Sequence, residues 1–302
     1  MLKVKVTVPA TSTNFGPGLR VVGLALTLRA SVEMTARDDG LMQIYLNGDL
    51  NDVMPTSFDN PAVRAAIKVF QRFERAPSGF DLEIDSEIPW DAGLGAEAAI
   101  QLAAIVAANN LIQADLKRED IIEIARGLNI PPTSIIAGLF GALSICSENE
   151  TQFVYHTLDI VPLKIVVVVP FLPDYQGDQI GFPKLVSLDE AIYNMGQTAL
   201  MIEALRLGNF DLLRQSMGDL LHQPNYIGRI PAYEAVNAAA LESGAIATIV
   251  SGKGPALLAI AENFHESIAE SMVEAFAEHE IAADTFIVGV DRQGITVSIV
   301  EQ

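Results

Sequence analysis

Residues 96–111, Ala-Glu-Ala-Ala-Ile-Gln-Leu-Ala-Ala-Ile-Val-Ala-Ala-Asn-Asn-Leu, carry one charged side chain and set Ala98, Leu102, Ile105 and Val106 on one helical stripe. A helix this apolar has to be largely buried, so the rest of the chain must build cover around it. The chain has the material, because half of its 302 residues are hydrophobic. That composition excludes a disordered, collagen-like or disulfide-stapled protein. At about 150 residues per domain, the length predicts two domains.

Charge and cysteine usage narrow the function classes. Nineteen Lys plus Arg face 38 Asp plus Glu, a formal charge of -19 that repels polyanions and argues against nucleic acid as a partner. An anionic ligand therefore needs a local site. The single cysteine, Cys146, lies among strand-like apolar neighbours and has no partner for an internal bridge, which fits a reducing compartment. No run of eighteen apolar residues exists, and the first residues alternate at period two without a signal-peptide core. The expectation is a cytoplasmic protein with no membrane partner.

Patterning predicts strands at 4–8, 31–36, 42–46 and 80–84, with a turn-rich loop over 9–18 and an apolar run over 21–28. Helices are expected at 60–75, opening on Asn60-Pro61, and at 118–126, ending before Pro131-Pro132. The chain turns polar around 148–152, ahead of the apolar strand 163–170, and this predicts a domain boundary near 155. Beyond it, helices are expected at 188–207, 210–221, 231–243 and 265–278, and strands at 247–250, 256–261, 285–290 and 296–300.

Three glycine loops carry the chemistry. Gly93 and Gly95, in Pro89-Trp-Asp-Ala-Gly-Leu-Gly, precede the buried helix, so amides there can face an anion with the helix dipole behind them. No Gly-Lys-Ser or Gly-Lys-Thr follows, which separates the segment from a P-loop. A plain strand-to-helix turn remains the alternative for this loop alone. The other loops are Pro9-Ala-Thr-Ser-Thr-Asn-Phe-Gly-Pro-Gly and Ser251-Gly-Lys-Gly-Pro-Ala.

In this order and spacing the three loops resemble the galactokinase, homoserine kinase, mevalonate kinase and phosphomevalonate kinase (GHMP) superfamily. The first loop resembles homoserine kinases in particular, whose pattern is close to Pro-Ala-Thr-Ser-Ala-Asn-Leu-Gly-Pro-Gly-Phe-Asp. The likeness continues through Gly138-Leu-Phe-Gly-Ala, Ser187-Leu-Asp-Glu-Ala-Ile-Tyr-Asn and Met217-Gly-Asp-Leu-Leu-His-Gln-Pro. It implies an α+β fold of GHMP-kinase type. Residues 1–155 would form an S5-domain-2-like domain containing a left-handed βαβ unit, residues 156–302 a ferredoxin-like domain, and ATP would sit between them. ATP with magnesium, a small-molecule substrate, a place in threonine biosynthesis and a homodimer follow by the same analogy.

On that resemblance Gly93, Leu94, Gly95, Ala96 and Glu97, with Ser251, Gly252 and Gly254, are the nucleotide-binding set. Asn14, Arg20, His222 and Arg229 face the substrate, and Thr133, Ser134 and Arg126 mark the reaction centre. The chain departs from the family where polar chemistry is expected. Two serines that follow Gly-Leu-Gly in relatives are Ala96 and Glu97 here. Glu97 could hold magnesium, sit over the helix amides as a built-in anion, or simply cap or face solvent. Relatives carry Glu-Gly and then His-Pro-Asp-Asn; this chain has Arg126-Gly127 and then Pro131-Pro-Thr-Ser. The acid that holds the homoserine amine is replaced by Arg20, so an acceptor carrying a carboxylate or phosphate near Arg20 is expected. Two readings stay open: a homoserine-kinase-like phosphotransferase, and a catalytically silent relative that binds a metabolite or serves as a structural subunit.

Overall fold

The computed structural model describes residues 2–301. The first half runs β1 (Leu2–Thr13), β2 (Val22–Arg37), β3 (Met42–Leu46), α1 (Leu50–Val53), α2 (Pro61–Arg72), β4 (Gly79–Ser86), α3 (Ala96–Leu111), α4 (Arg118–Gly127), α5 (Pro132–Phe140), β5 (Leu143–Glu148) and β6 (Phe153–Leu158). There follow β7 (Lys164–Pro170), α6 (Leu188–Leu207), α7 (Phe210–Gln215), α8 (Gln223–Ile227), α9 (Tyr233–Glu242), β8 (Ala247–Val250), β9 (Leu257–Ala261), α10 (His265–Ala277), β10 (Ala283–Gly289) and β11 (Thr296–Glu301).

A seven-stranded sheet has the order β11-β1-β2-β4-β3, with β5 pairing β2 and β6. Helix α3 lies across β1 and β2 and against α2. Thirteen of its sixteen residues are buried, which is the cover its sequence demanded. Helix α2 begins where Asn60 accepts the Ala62 amide at 2.9 Å and Pro61 occupies the first turn. Helix α5 comes so close to α3 that a Cβ on Gly138 would meet the Leu102 side chain at 2.9 Å.

The second sheet, β10-β7-β9-β8, is antiparallel throughout, and its strand order with α9 and α10 packed on one face is ferredoxin-like. Strand β7 explains how the halves share a core. Val166 and Val168 face α9 and α10, while Ile165 and Val167 turn the other way and join the main core with Leu258 and Ile260. A strand buried on both faces reads as an unbroken apolar run.

Strand pairing relocates several expected boundaries. The division at 155 falls inside β6, which pairs with β5 in the first sheet, and β11 returns to the edge of that sheet beside β1. The chain therefore crosses between the sheets twice. The loop expected over 9–18 is strand as far as Thr13, because buried Ala10, Thr11 and Ser12 pair with β2 beyond a bulge at Pro9, where a missing amide is tolerated. The runs 21–28 and 31–36 are one strand, β2. Arg29 does not interrupt it, since Asp291 neutralises its guanidinium. The helix expected over 210–221 stops at Gln215. Asp219 accepts the amides of Leu221, His222 and Gln223 at 2.8–3.2 Å and draws the chain into a turn instead.

Candidate active site

The three glycine loops lock together at the meeting of the two sheets. Ser251 Oγ lies 2.9 Å from both the Gly93 carbonyl and Ser12 Oγ. The Thr11 amide donates to Leu94 O at 2.9 Å, and the Gly252 amide to Thr13 O at 3.0 Å. Both glycines ahead of α3 hold positive φ, 78° at Gly93 and 76° at Gly95. A Cβ on Gly93 would fall 2.2 Å from Ser251 O, so the close approach of two loops requires glycine there whatever binds between them.

Above this junction is a cavity of about 450 Å³ lined by Gly93, Gly95, Ala96, Glu97, Gly252 and Gly254. The volume lies in the range of small-molecule sites. The first-turn amides of α3 are those a helix leaves without an intrahelical acceptor, and they carry the positive end of its dipole. Thr11, Thr13 and Ser134 bring three hydroxyls to the same walls, with Thr11 Oγ1 donating to Ser134 Oγ at 3.1 Å. They bring hydroxyls to a cavity in which positions 96 and 97 carry none. Ser134 belongs to the first turn of α5, so two helix starts border the cavity.

Glu97 does not close this space. Its Oε1 accepts from Gln101 Nε2 at 3.0 Å, one turn further along α3, and no side chain caps the helix start at Gly95. The carboxyl reaches solvent yet is held above the usual carboxylate range, first by partial burial and then by the charge of Asp178. Asp91 is raised in the same way. Three hard-oxygen side chains, Glu97, Asp91 and Asp178, thus border the cavity and repel one another. Among the described residues no group of three or more His, Cys, Asp or Glu forms a ready metal cage. A magnesium ion that keeps water and takes ligands from a bound phosphate needs only one or two such carboxylates, so the donor set fits.

A second cavity, about 710 Å³, adjoins the first through Thr13, Asn129, Ile130, Pro131 and Lys253, which line both. Asn14, Arg20, Arg126 and Thr133 line it as well, with Glu148, Cys146 and Phe182. Arg126 is paired with Glu148 and stacks over Phe153 at 4.9 Å. Burial, and then the Glu148 charge, push the Cys146 thiol up to about 12, so a thiol and not a thiolate lines the wall. Asn14, at φ 53°, accepts the Arg20 amide at 2.9 Å and fixes that turn.

Four expected site residues stand elsewhere. His222 is fully buried and lines neither cavity. Its Nε2 lies 2.9 Å from Gly252 O and must donate, leaving Nδ1 to accept from Gln223 Nε2 at 3.2 Å. The ring is therefore a neutral strut beneath the third loop, and burial lowers its pKa against the opposing pull of Asp219. Arg229 is exposed and lines neither cavity, because its segment turns outward after α8. Leu94 is fully buried, and only its carbonyl serves the site, as the acceptor for Thr11. Ser251 is buried as a tie between loops. Conversely, Thr11, Thr13, Asp91, Asn129, Asp178 and Lys253 were not singled out from sequence. Of these, only Lys253 had a local signal, a cation inside a glycine loop.

Known proteins resemble this chain over nearly its whole length. Residues 60–137 match the family model for the GHMP kinases N terminal domain, and residues 201–280 that for the GHMP kinases C terminal domain. The chain is 32% identical over 296 residues to a homoserine kinase of Nostoc punctiforme, covering 96% of this chain and 97% of that protein. A homoserine kinase of Desulfitobacterium hafniense is 30% identical over 297 residues, covering 97% and 99%. The crystal structure of homoserine kinase from Cytophaga hutchinsonii superposes with a TM-score of 0.87 at 22% identity, covering 98% of this chain and 97% of that one. With loops, topology and relatives in agreement over nearly its whole length, the chain belongs to the homoserine kinase family of the GHMP small-molecule kinases.

Proposed function

We propose that the protein transfers the terminal phosphoryl group of ATP to the hydroxyl of a small metabolite, with the nucleotide in the 450 Å³ cavity and the acceptor in the 710 Å³ cavity. The observation that carries this reading is the shared wall of Thr13, Asn129, Ile130, Pro131 and Lys253, which lets two ligands meet end to end. Open space before α3 supports the kinase reading and speaks against Glu97 as a built-in anion over the helix amides.

Phosphoryl transfer asks little covalent chemistry of the protein and depends on positioning and on neutralising charge. The α3 amides and the glycine carbons at 93, 95 and 252 allow phosphates to approach the backbone. Trp90 and Leu128 supply apolar wall to the nucleotide cavity. Lys253 is the cation common to both cavities, and its ion pair with Asp178 is exposed and exchangeable. It is suited to meeting the group in transit. Thr133, at the start of α5, faces the acceptor side and its neighbour Ser134 the nucleotide side, and no aspartate base is needed there. Magnesium, bound with the nucleotide, neutralises the charge of the outer phosphates. Glu97 and Asp178 are the side chains that would hold it.

Homoserine is the first acceptor to test, because the relatives bear that name; with it the product would enter threonine biosynthesis, in the cytoplasm. Calorimetric titration with Mg-ATP, alone and with homoserine, decides the matter. Micromolar nucleotide binding is expected. Failure to bind Mg-ATP at millimolar concentration would defeat the proposal.

A further inference from the structure

Resting on the assignment of the second cavity to the acceptor, we infer that its true acceptor is an anionic alcohol lacking an ammonium group: a short chain with a carboxylate or phosphate at one end and the reacting hydroxyl at the other. The charges lining that cavity carry the inference. Arg20, Arg126 and Lys253 are its cations and Glu148 its one acid among the described residues. Glu148 is already paired with Arg126, and Lys253 with Asp178 on the nucleotide side. Arg20 has no ion pair among the described residues, and it lines the second cavity alone.

An amino acid brings two charged ends to such a space. Its carboxylate finds Arg20, which can take it with two parallel hydrogen bonds. Its ammonium finds no carboxylate that is not already engaged and sits near the same cations, so it loses its hydration without recompense. The remaining wall suits a plain aliphatic stem, being Val21, Ile130, Pro131, Pro132 and Phe182. The backbone at Arg20 is held in place, with φ 58° and its amide donating to Asn14 Oδ1 at 2.9 Å, while the residue is exposed.

The test separates this inference from the kinase reading by measuring acceptor and nucleotide binding independently. Four probes are titrated calorimetrically into the full-length protein without nucleotide: 4-hydroxybutanoate, 3-hydroxypropyl phosphate, homoserine and 1,4-butanediol. One of the two anionic alcohols should bind at least tenfold more tightly than homoserine, which differs from 4-hydroxybutanoate only by its amino group. The comparison of the two anions identifies carboxylate or phosphate as the recognised end. Arg20→Asn, a residue that tolerates positive φ, should keep the melting temperature and weaken the preferred anion by tenfold or more, without changing butanediol. Arg20→Lys should recover part of the loss. Homoserine binding as tightly as both anions, neither anion binding, or anion affinity unchanged in Arg20→Asn would each overturn the inference. A separate Mg-ATP titration reports on the kinase reading, which survives any of those results.

Discussion

Gly93→Ala tests whether the glycine loops act as one rigid unit. The added methyl would sit 2.2 Å from Ser251 O, 2.8 Å from Gly254 N and 2.9 Å from Gly254 O, all backbone atoms that cannot swing aside. Ordinary contact begins at 3.4 Å, so the loops must part by about 1.2 Å. Holding alanine at φ 78° costs about 1–2 kcal/mol. Parting the loops stretches the 2.9 Å bond from Ser251 Oγ to Gly93 O and the 3.0 Å bond from Gly252 N to Thr13 O, at about 1 kcal/mol each. The total is about 3–4 kcal/mol, large against the ~5–15 kcal/mol of a typical fold but not enough to unfold it. At about 2 °C per kcal/mol for a chain of this size, the melting temperature should fall by about 6–8 °C. Mg-ATP affinity should drop by about 10²-fold, since misplacing the loops by 1 Å misplaces the phosphate amides. Gly127→Ala is the control: nothing lies within 4 Å of its added carbon, and its melting temperature should move by no more than about 1 °C. Calorimetric melting and nucleotide titration read both variants. A Gly93→Ala protein that matches the parent in both would refute the interlock.

Other expectations follow from single side chains. Lys253→Met should lower kcat by about 10- to 100-fold with a smaller change in KM for ATP, and an unaltered kcat in a coupled kinase assay would remove Lys253 from the transfer step. Burial holds His222 neutral with a pKa below its ordinary 6.5, so the unfolded chain binds the proton more readily. Its contribution is complete above pH 6.5 and is lost as pH falls through that value; His222→Gln should flatten the decline in melting temperature between pH 7.5 and 5.5, and superimposable profiles would refute this. Asp291→Ala removes the partner of Arg29 and the acceptor of the Gln293 and Gly294 amides at 2.9 and 2.8 Å. The loss should be about 2–3 kcal/mol in urea unfolding, below the ~3–5 kcal/mol of a fully buried pair because Arg29 keeps some access to water.

Much of the fold was legible because burial writes itself into local composition. The stretch 96–111 could only be an enclosed helix, and the valines of β7 read as an apolar strand, which the structure covers on both faces. What escaped was decided by distant partners. The patterning divides β2 into runs at 21–28 and 31–36, and Arg29, in the gap between them, has its charge neutralised by Asp291, 262 residues away. The 210–221 segment has helical periodicity, yet Asn194 of α6 takes the Leu220 amide and Asp219 takes those of Leu221 and Gln223, which sets a turn at the end of the expected helix. Strand β11 resembles any short strand, and nothing in its own residues says that it crosses back to pair with β1.

The site divides along the same line, and the division explains its chemistry. Glycines at 93, 95, 252 and 254 were readable because backbone shape is encoded where it is used. The hydroxyls were not, because Thr11, Thr13 and Ser134 reach one wall from β1 and α5, and only the fold brings Thr11 within 3.1 Å of Ser134. Hence the missing serines at 96 and 97 do not leave the cavity without polar groups, and their loss alone is no argument for a silent protein. Charge behaves alike. Arg126, expected at the reaction centre, is committed to Glu148, whereas Arg20, expected to meet an anionic acceptor, lines the second cavity without an ion pair among the described residues. A cation's meaning in this site lies in which carboxylate has already claimed it, and that is a property of the folded neighbourhood.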